Sequence, residues 1–386
     1  MPLSRIRLSD VTAAAAGQRG AHGAVAVDRA VADFRRGEPV VIRDGERAVL
    51  ALAVEALTEE RLARFVRLAG SSPSLAMTGR RAALLGLGED RAGVVRVALA
   101  GTAAAQDLRD MADPLARPET APTVVAVTPA RPQDGDSAAV ALAKIARLLP
   151  AAVTAAAGFV AHDRALEEWA RRESLLVIEA AAVVAYPVES ARRLARVGEA
   201  RVPLAGAENT RIIAYRPADG GLEHLAIVIG TPDPATPVLA RIHSECFTGD
   251  LLASLRCDCG DQLRGAIREI ADAGAGVLLY LAQEGRGIGL VNKLRAYQLQ
   301  DRGFDTVDAN LQLGFDADER IYVPAAEMLR LLGFARVRLM TNNPLKVEAL
   351  AHCGVEVVER VPHVFPSNDH NAEYLRTKAV RSGHLF

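Results

Sequence analysis

Three of the four cysteines in this chain lie within 14 residues, at Cys246, Cys257 and Cys259, in the pattern Cys-x10-Cys-x-Cys; the fourth is Cys353. Deprotonated thiols at such spacing are ligands for a borderline-soft divalent cation, and zinc is the ion they most often take. A structural zinc is closed by four protein ligands, whereas a catalytic zinc keeps one position for water. Three thiols therefore read as a catalytic centre. Two other arrangements stay open from the residues alone: three buried cysteines acting as small apolar groups, and a closed site with His243 as the fourth ligand. On a strand, Cys257 and Cys259 would share one face, with Arg256 and Asp258 projecting elsewhere. Cys246 would arrive from the preceding turn, bent back by Thr248, Gly249 and Asp250. Cys353, beside Gly354, reads as packing.

A second cluster follows in the string Gln283-Glu284-Gly285-Arg286-Gly287-Ile288-Gly289. A buried strand at 277–281 precedes it and a helix at 290–302 follows. Strand, glycine loop and helix N-terminus together present backbone N–H groups to phosphate. The string is neither a Walker A sequence nor a full dinucleotide fingerprint. Arg286 could meet a phosphate chain, and Glu284 a hydrogen-bond donor or a metal. The string Asp316-Ala317-Asp318-Glu319-Arg320 reads on its own as a solvated or salt-bridged surface cluster before a strand-like 321–323. Only four of the 46 basic residues are lysine, at positions 144, 293, 346 and 378. In a chain so biased toward arginine, a lysine hints at a need for a compact point charge.

These groups need scaffolding, and 386 residues, half of them hydrophobic, suggest two packed domains. The fold class expected is α+β, as two mixed α/β domains. The first half shows helices at 27–36, 58–67, 137–148 and 163–173, with short strands at 39–42, 123–127 and 175–178. A charged, Gly/Pro-punctuated stretch at 192–207 reads as the junction. The second half alternates strands at 210–215, 223–230, 238–244, 277–281, 337–340 and 355–361 with helices at 261–273, 290–302, 324–332 and 344–353. Asp261 is the expected N-cap of the first of these. The domain reading is a tail at 1–24, one domain at 25–192 and a second at 193–386, with a loosely packed last 20 residues.

The net charge of −1 supplies no field for nucleic acid, so no nucleic-acid partner is expected. No apolar run is long enough to span a bilayer and no signal-peptide core opens the chain, so the expected location is cytoplasmic, without membrane association. In a reducing compartment clustered cysteines read as metal ligands, not disulfides.

The strings His243-Ser-Glu-Cys246, Leu255-Arg-Cys257-Asp-Cys259-Gly260, Gln283-Glu-Gly-Arg286, Asn292-Lys-Leu-Arg-Ala-Tyr297, Asp318-Glu-Arg320 and Thr341-Asn-Asn-Pro344-x-Lys346 occur in order. Together they resemble GTP cyclohydrolase II, from about residue 210 to the C-terminus. The resemblance implies zinc-dependent opening of GTP to 2,5-diamino-6-ribosylamino-4(3H)-pyrimidinone 5′-phosphate, formate and pyrophosphate, the first step of riboflavin synthesis. It implies zinc on Cys246, Cys257 and Cys259, one ion per subunit, and Mg2+ with the triphosphate. It implies Asp318 as proton acceptor, Arg320 as the group acting at the α-phosphorus, and Tyr297 beside the activated water. A guanidinium stays protonated at ordinary pH, so an electrostatic clamp is the more conservative role for Arg320. GTP contacts implied are Arg241, Ile242, His243, Ser244, Glu245, Gln262, Glu284, Gly285, Arg286, Thr306, Thr341 and Lys346. A homodimer is implied as well. A paralogue acting on another nucleotide, or a non-catalytic nucleotide-binding regulator with structural zinc, stays open.

Residues 25–186 resemble 3,4-dihydroxy-2-butanone 4-phosphate synthase, through Gly37-Glu-Pro-Val-Val-Ile42 and the run from Ser174 to Tyr186. That family needs an acidic loop after its first strand, where this chain reads Arg43-Asp44-Gly45-Glu46-Arg47. Its histidine and glutamate before the mid-domain helix are replaced near Gly135 and Ser137. The resemblance implies a retained fold, lost synthase activity, and a structural, dimer-supporting or regulatory role.

Overall fold

The computed structural model describes residues 18–365, apart from 46, 90–91, 102, 117–121, 161–163 and 219, together with 376 and 381. The reading of a tail at the N-terminus falls mostly, and that of a loose C-terminal tail almost wholly, outside the described residues. A helix already runs at Gln18–Arg36, earlier than its sequence pattern suggests.

Strands β1 Val40–Asp44 and β2 Arg47–Ala53 form a tight antiparallel hairpin, closed by Gly45 at φ 67° with Asp44 opposite Arg47. Helix Glu59–Ala69 follows; Thr58 caps it by accepting from Arg61 N at 3.2 Å, and Gly70 ends it in the left-handed region. Then come β3 Ser74–Thr78, helix Gly79–Leu84, β4 Val94–Leu99, helix Ala105–Ala112, β5 Val124–Pro129, helix Gly135–Ile145, β6 Ala151–Val160, helix Arg164–Arg172, β7 Leu176–Glu179 and helix Ala180–Arg192. The strands form one sheet of order β5-β4-β3-β6-β2-β1-β7, antiparallel except for the β1–β7 pair.

Strand β8 Leu194–Arg201 already belongs to a second seven-stranded sheet. The stretch that reads as a junction is thus an edge strand, and its charges are the solvated face of that edge. There follow β9 Thr210–Pro217, β10 His224–Ile229, β11 Val238–Ser244, helix Phe247–Asp250, helix Cys259–Asp272, β12 Gly276–Leu281, the 3-10 turn Glu284–Gly287, helix Leu290–Gln300, helix Thr306–Gln312, helix Val323–Leu332, β13 Arg336–Met340, helix Pro344–His352 and β14 Glu356–Val361. The order is β14-β13-β11-β12-β10-β9-β8, parallel from β14 to β12 and antiparallel beyond. Successive side chains of β10 serve opposite faces: Ala226 and Val228 pack with Tyr322, Met328 and Leu329, and Ile227 and Ile229 with Ala266 and Ile270.

The protein is α+β with two mixed sheets. The two halves share a core: Leu50, Leu52, Leu75, Met77 and Val153 of the first sheet pack with Ile288, Ala296, Leu299, Leu313 and Phe315 of the second half. Among the described residues, no helix is long and apolar enough to cross a membrane.

Candidate active site

Strand β11 delivers Arg241, Ile242, His243 and Ser244 to the C-terminal edge of the parallel strands, where the chain leaves the sheet. Glu245 makes the last ladder bond, its N–H donating to Leu281 O at 2.9 Å. The next residue is Cys246, and the single turn Phe247–Asp250 folds the chain back on it. Asp250 holds that turn: it accepts from Cys246 N at 2.9 Å and from Tyr280 Oη at 2.9 Å, and its carboxylate lies 3.0 Å from His243 Nε2. Burial lowers the pKa of His243, opposed by Asp250. Its hydrogen bond and its stacking on Tyr280, 5.5 Å between ring centres, fix it as a wall of the cleft.

Cys257 and Cys259 come from a turn and from the first residue of helix Cys259–Asp272, not from a strand as their spacing suggests. The N-cap is Asp258, so Asp261 sits inside the first turn. The reason is a close approach: a Cβ on Gly260 would lie 2.3 Å from Gly249 O, so only glycine lets the two turns meet. The three sulfurs lie within 4.8 Å of one another, with Cys246 and Cys257 3.7 Å apart. Two thiolates each about 2.3 Å from a tetrahedral zinc lie about 3.8 Å apart, so the trio fits that ion. Hydrogen bonds from Cys257 and Cys259, then Lys293, pull the Cys246 thiol far below its ordinary value. The same shared protons push Cys257 up to about 11 and raise Cys259 well above its ordinary value. Ionising one thiol thus opposes ionising its neighbours, and a divalent cation would let all three ionise.

Lys293, on helix Leu290–Gln300, donates from Nζ to Cys246 Sγ at 3.1 Å, Thr248 Oγ1 at 3.0 Å and Glu284 Oε1 at 2.8 Å. Glu284 also accepts from Phe247 N at 2.6 Å, which ties the glycine loop to the cysteine turn. One helical turn after Lys293, Tyr297 places its Oη 3.3 Å from Thr248 Oγ1 and its ring under Arg256 at 4.9 Å. Burial, above all, raises the Tyr297 pKa and keeps it a protonated donor. Arg286 sits at φ 61° beside Gly285 at 63°, a left-handed pair that turns the loop toward the cleft. Such strain in a non-glycine residue is stored at sites whose surroundings hold it. Here the holder is Glu319, whose N–H donates to Arg286 O at 3.0 Å.

Asp318 and Arg320 form a two-pronged pair, with Nε to Oδ1 at 2.8 Å and a second guanidinium nitrogen to Oδ2 at 2.5 Å. Burial would raise the Asp318 pKa, but Arg320 and Arg286 overcome it and hold the carboxyl below its usual range. No strand follows; Val323, with Pro324 behind it, opens a helix instead.

A cleft of about 1160 Å³, counting its open mouth, gathers almost all of these groups. Its lining includes the three cysteines, Arg241, His243, Ser244, Glu245, Gln262, Glu284, Gly285, Arg286, Tyr297, Thr306, Arg320, Thr341 and Lys346. Ile242 and Asp318 are not in the lining; Ile242 contributes its carbonyl, which accepts from Lys346 Nζ at 3.1 Å, and Asp318 stands behind Arg320. Arg241 is buried, donating to Gln262 Oε1 at 2.6 Å and Met340 O at 2.9 Å. Burial lowers its pKa to about 10, which still leaves it charged near neutrality.

The cleft also contains residues that the sequence does not assign to it. Arg256, expected to point away, lines it, as do Lys293, Asn342 and Asn343. Lys293 has a signal, as a scarce lysine four residues before Tyr297; Arg256 has none, because its stacking partner is 41 positions away.

Residues 195–362 match the family model for GTP cyclohydrolase II. A GTP cyclohydrolase-2 of Azospirillum brasilense is 59% identical over 363 residues, covering 94% of this chain and 94% of that protein. The chain belongs to the GTP cyclohydrolase II family. A GTP cyclohydrolase-2 of Escherichia fergusonii is 54% identical over 194 residues, 98% of its length but 50% of this chain. The riboflavin biosynthesis protein RibBA of Synechocystis is 40% identical over 349 residues, 87% of this chain and 59% of that protein. Among solved structures, the two-domain 3,4-dihydroxy-2-butanone 4-phosphate synthase RibBX of A. baumannii aligns over 88% of this chain and 99% of its own, at 18% identity and TM-score 0.34. Membership in the GTP cyclohydrolase II family makes this protein a hydrolase of riboflavin biosynthesis. The family match covers the second sheet from its second residue, Ala195, onward and every cleft residue named above.

Proposed function

We propose that this protein hydrolyses GTP to 2,5-diamino-6-ribosylamino-4(3H)-pyrimidinone 5′-phosphate, formate and pyrophosphate, with zinc at its three cysteines and Mg2+ on the triphosphate. One observation carries the reading: three mutually close sulfurs open into the same cleft as Arg286, Arg320 and Lys346. A thiolate-held cation alone would suit many reactions. Beside three cationic side chains it suits a substrate with both an electrophilic ring and a phosphate chain.

Zinc bound by Cys246, Cys257 and Cys259 would supply a Lewis acid that makes water a nucleophile near neutral pH, for attack at C8 of the guanine ring. Lys293 steadies the Cys246 thiolate, and Thr248 passes that order to the Tyr297 hydroxyl. Tyr297, a protonated donor, orients the groups reacting at C8. Ring cleavage there releases formate. Arg286 and Lys346 bind the phosphates, and Arg320 clamps the α-phosphate as pyrophosphate leaves. When the phosphate draws Arg320 away, Asp318 loses the partner that depresses its pKa and becomes a competent proton acceptor. Arg241, Ile242, His243, Ser244, Glu245, Gln262, Glu284, Gly285, Thr306 and Thr341 form the remainder of the GTP site.

The hairpin closed at Asp44–Arg47 has no room for an acidic loop, which supports loss of synthase activity in the N-terminal domain, residues 25–192. The C-terminal domain, residues 193–386, is the catalytic one. The protein is proposed to work in the cytoplasm as a homodimer. The deciding experiment mixes the purified, zinc-loaded chain with GTP and Mg2+ and measures formate and pyrophosphate. Equal yields of both are expected, with neither from Cys257→Ser. GTP binding without formate would instead mean a nucleotide-binding regulator.

A further inference from the structure

The N-terminal half meets the C-terminal half at the loop that carries Asp318 and Arg320. Lys144, in the last turn of helix Gly135–Ile145, reaches across and donates from Nζ to Glu319 Oε1 at 2.6 Å, with Asp316 3.7 Å away. The same Glu319 oxygen accepts from Asp316 N at 2.8 Å, which closes the loop on itself. Glu319 N–H holds the carbonyl of Arg286, the strained residue of the glycine loop. One residue, through its carboxylate and its backbone N–H, therefore ties a lysine of the first half to both phosphate-facing loops of the second. The fit is close: a Cβ on Gly287 would lie 3.0 Å from the Glu319 carbonyl. Glu319 is buried, and its other oxygen has no partner among the described residues.

Other contacts reinforce the same edge. Gly314, where the loop begins, sits so near the first half that a Cβ would lie 2.9 Å from Thr78 Oγ1 and 3.0 Å from Pro150 Cγ. Arg147 donates to Ala282 O at 2.8 Å, and its carbonyl accepts from Asn292 Nδ2 at 3.0 Å. Glu55 pairs with Arg295 at 3.0 Å.

We infer that Lys144 is a positioning residue for the nucleotide site, and that the N-terminal domain acts through it as the rigid support of the Asp318–Arg320 loop. The inference rests on the GTP hydrolysis proposed above. Lys144 touches no substrate; it sets where Arg320 and Arg286 stand when charge develops on the phosphate. Misplacement of such groups by about 1 Å lowers rates by about 100-fold. Because the affected contacts tighten in the transition state, the loss falls on kcat more than on KM.

Lys144→Met alone strands a buried carboxylate, so the main test is the double variant Lys144→Met/Glu319→Gln in the full chain, which removes both charges together. Expected are the wild-type unfolding midpoint and zinc content, kcat for formate release lowered about tenfold or more, and KM for GTP within about threefold. Lys144→Arg, which restores the charge with a different reach, should recover part of kcat. A double variant within twofold of wild-type kcat overturns the inference. So does a loss of kcat matched by loss of zinc or of the unfolding midpoint, or one that Lys144→Arg shares in full. A wild-type chain that releases no formate overturns the functional reading itself, an outcome distinct from all of these.

Discussion

Gly249→Ala tests the cysteine centre without touching a cysteine. A Cβ at this position would lie 2.8 Å from Cys257 Sγ, 2.9 Å from Cys259 Cβ and 3.1 Å from Cys246 Sγ. Ordinary carbon contacts need about 3.5–4.0 Å, so the methyl group enters about 0.5–1 Å inside the permitted separation from all three. The turn cannot retreat, because Gly260 already packs against Gly249 O and Asp250 pins Cys246 N. The sulfurs must therefore spread by several tenths of an ångström. Zinc–ligand distances tolerate about 0.2 Å, and disturbing the groups that orient ligands typically lowers affinity by about 10- to 100-fold. The variant should lose zinc at least tenfold more readily in a competition titration against a chromogenic chelator, and formate release should fall with zinc occupancy. Gly198→Ala, with open space around its Cβ, is the control and should bind zinc as wild type does. If Gly249→Ala retained zinc as tightly as that control, the sulfurs would not be the ligands, and the catalytic reading of the cysteines would be wrong.

Lys293→Met removes the cation from a buried pair with Glu284, whose partners then reduce to backbone N–H groups; a loss of about 3–5 kcal/mol in urea unfolding is expected. Arg320→Lys replaces a two-pronged clamp by a point charge and should lower kcat by about 100-fold or more with zinc content unchanged, measured by formate release and metal analysis. Stability should fall as the medium is acidified. Burial, with repulsion from Arg147, lowers the pKa of His224 to about 4, while its nitrogen accepts from Ala282 N at 3.0 Å. Unfolded histidine titrates near 6.5. Between these values the unfolded chain binds the proton and the folded one does not, so the contribution is complete above about pH 6.5 and is lost as pH falls toward about 4. The gap corresponds to about 3 kcal/mol, and burial lowers the pKa of His243 and His363 in the same direction. Thermal melts from pH 7.5 to 5 should show the decline, and His224→Gln should flatten it; a melt indifferent to pH would refute the assignment.

Chemistry that travels in short strings is legible in the sequence alone. The three cysteines, the glycine loop, the Asp318–Arg320 pair and the scarce Lys346 are local in sequence, and each sits at the cleft or directly behind it. The strands of the second half are equally legible, because hydrophobic runs bounded by glycine and charge carry their own period. Strands β2 and β6 of the first half do not stand out, because alanine-rich strands share their composition with buried helices, and β3 and β4 are apolar runs too short for periodicity to separate strand from helix. Nor does spacing alone reveal that Cys259 opens a helix, since that depends on Gly260 meeting Gly249 from another turn. Lys144 stands out in the sequence only as a rarity; its partner lies 175 positions later. Sequence determines which groups can ionise, bind metal or turn the chain, because those are properties of single residues and near neighbours. Tertiary structure decided which of them share a cleft and which half holds the other in place, because distance and burial arise only when remote segments pack.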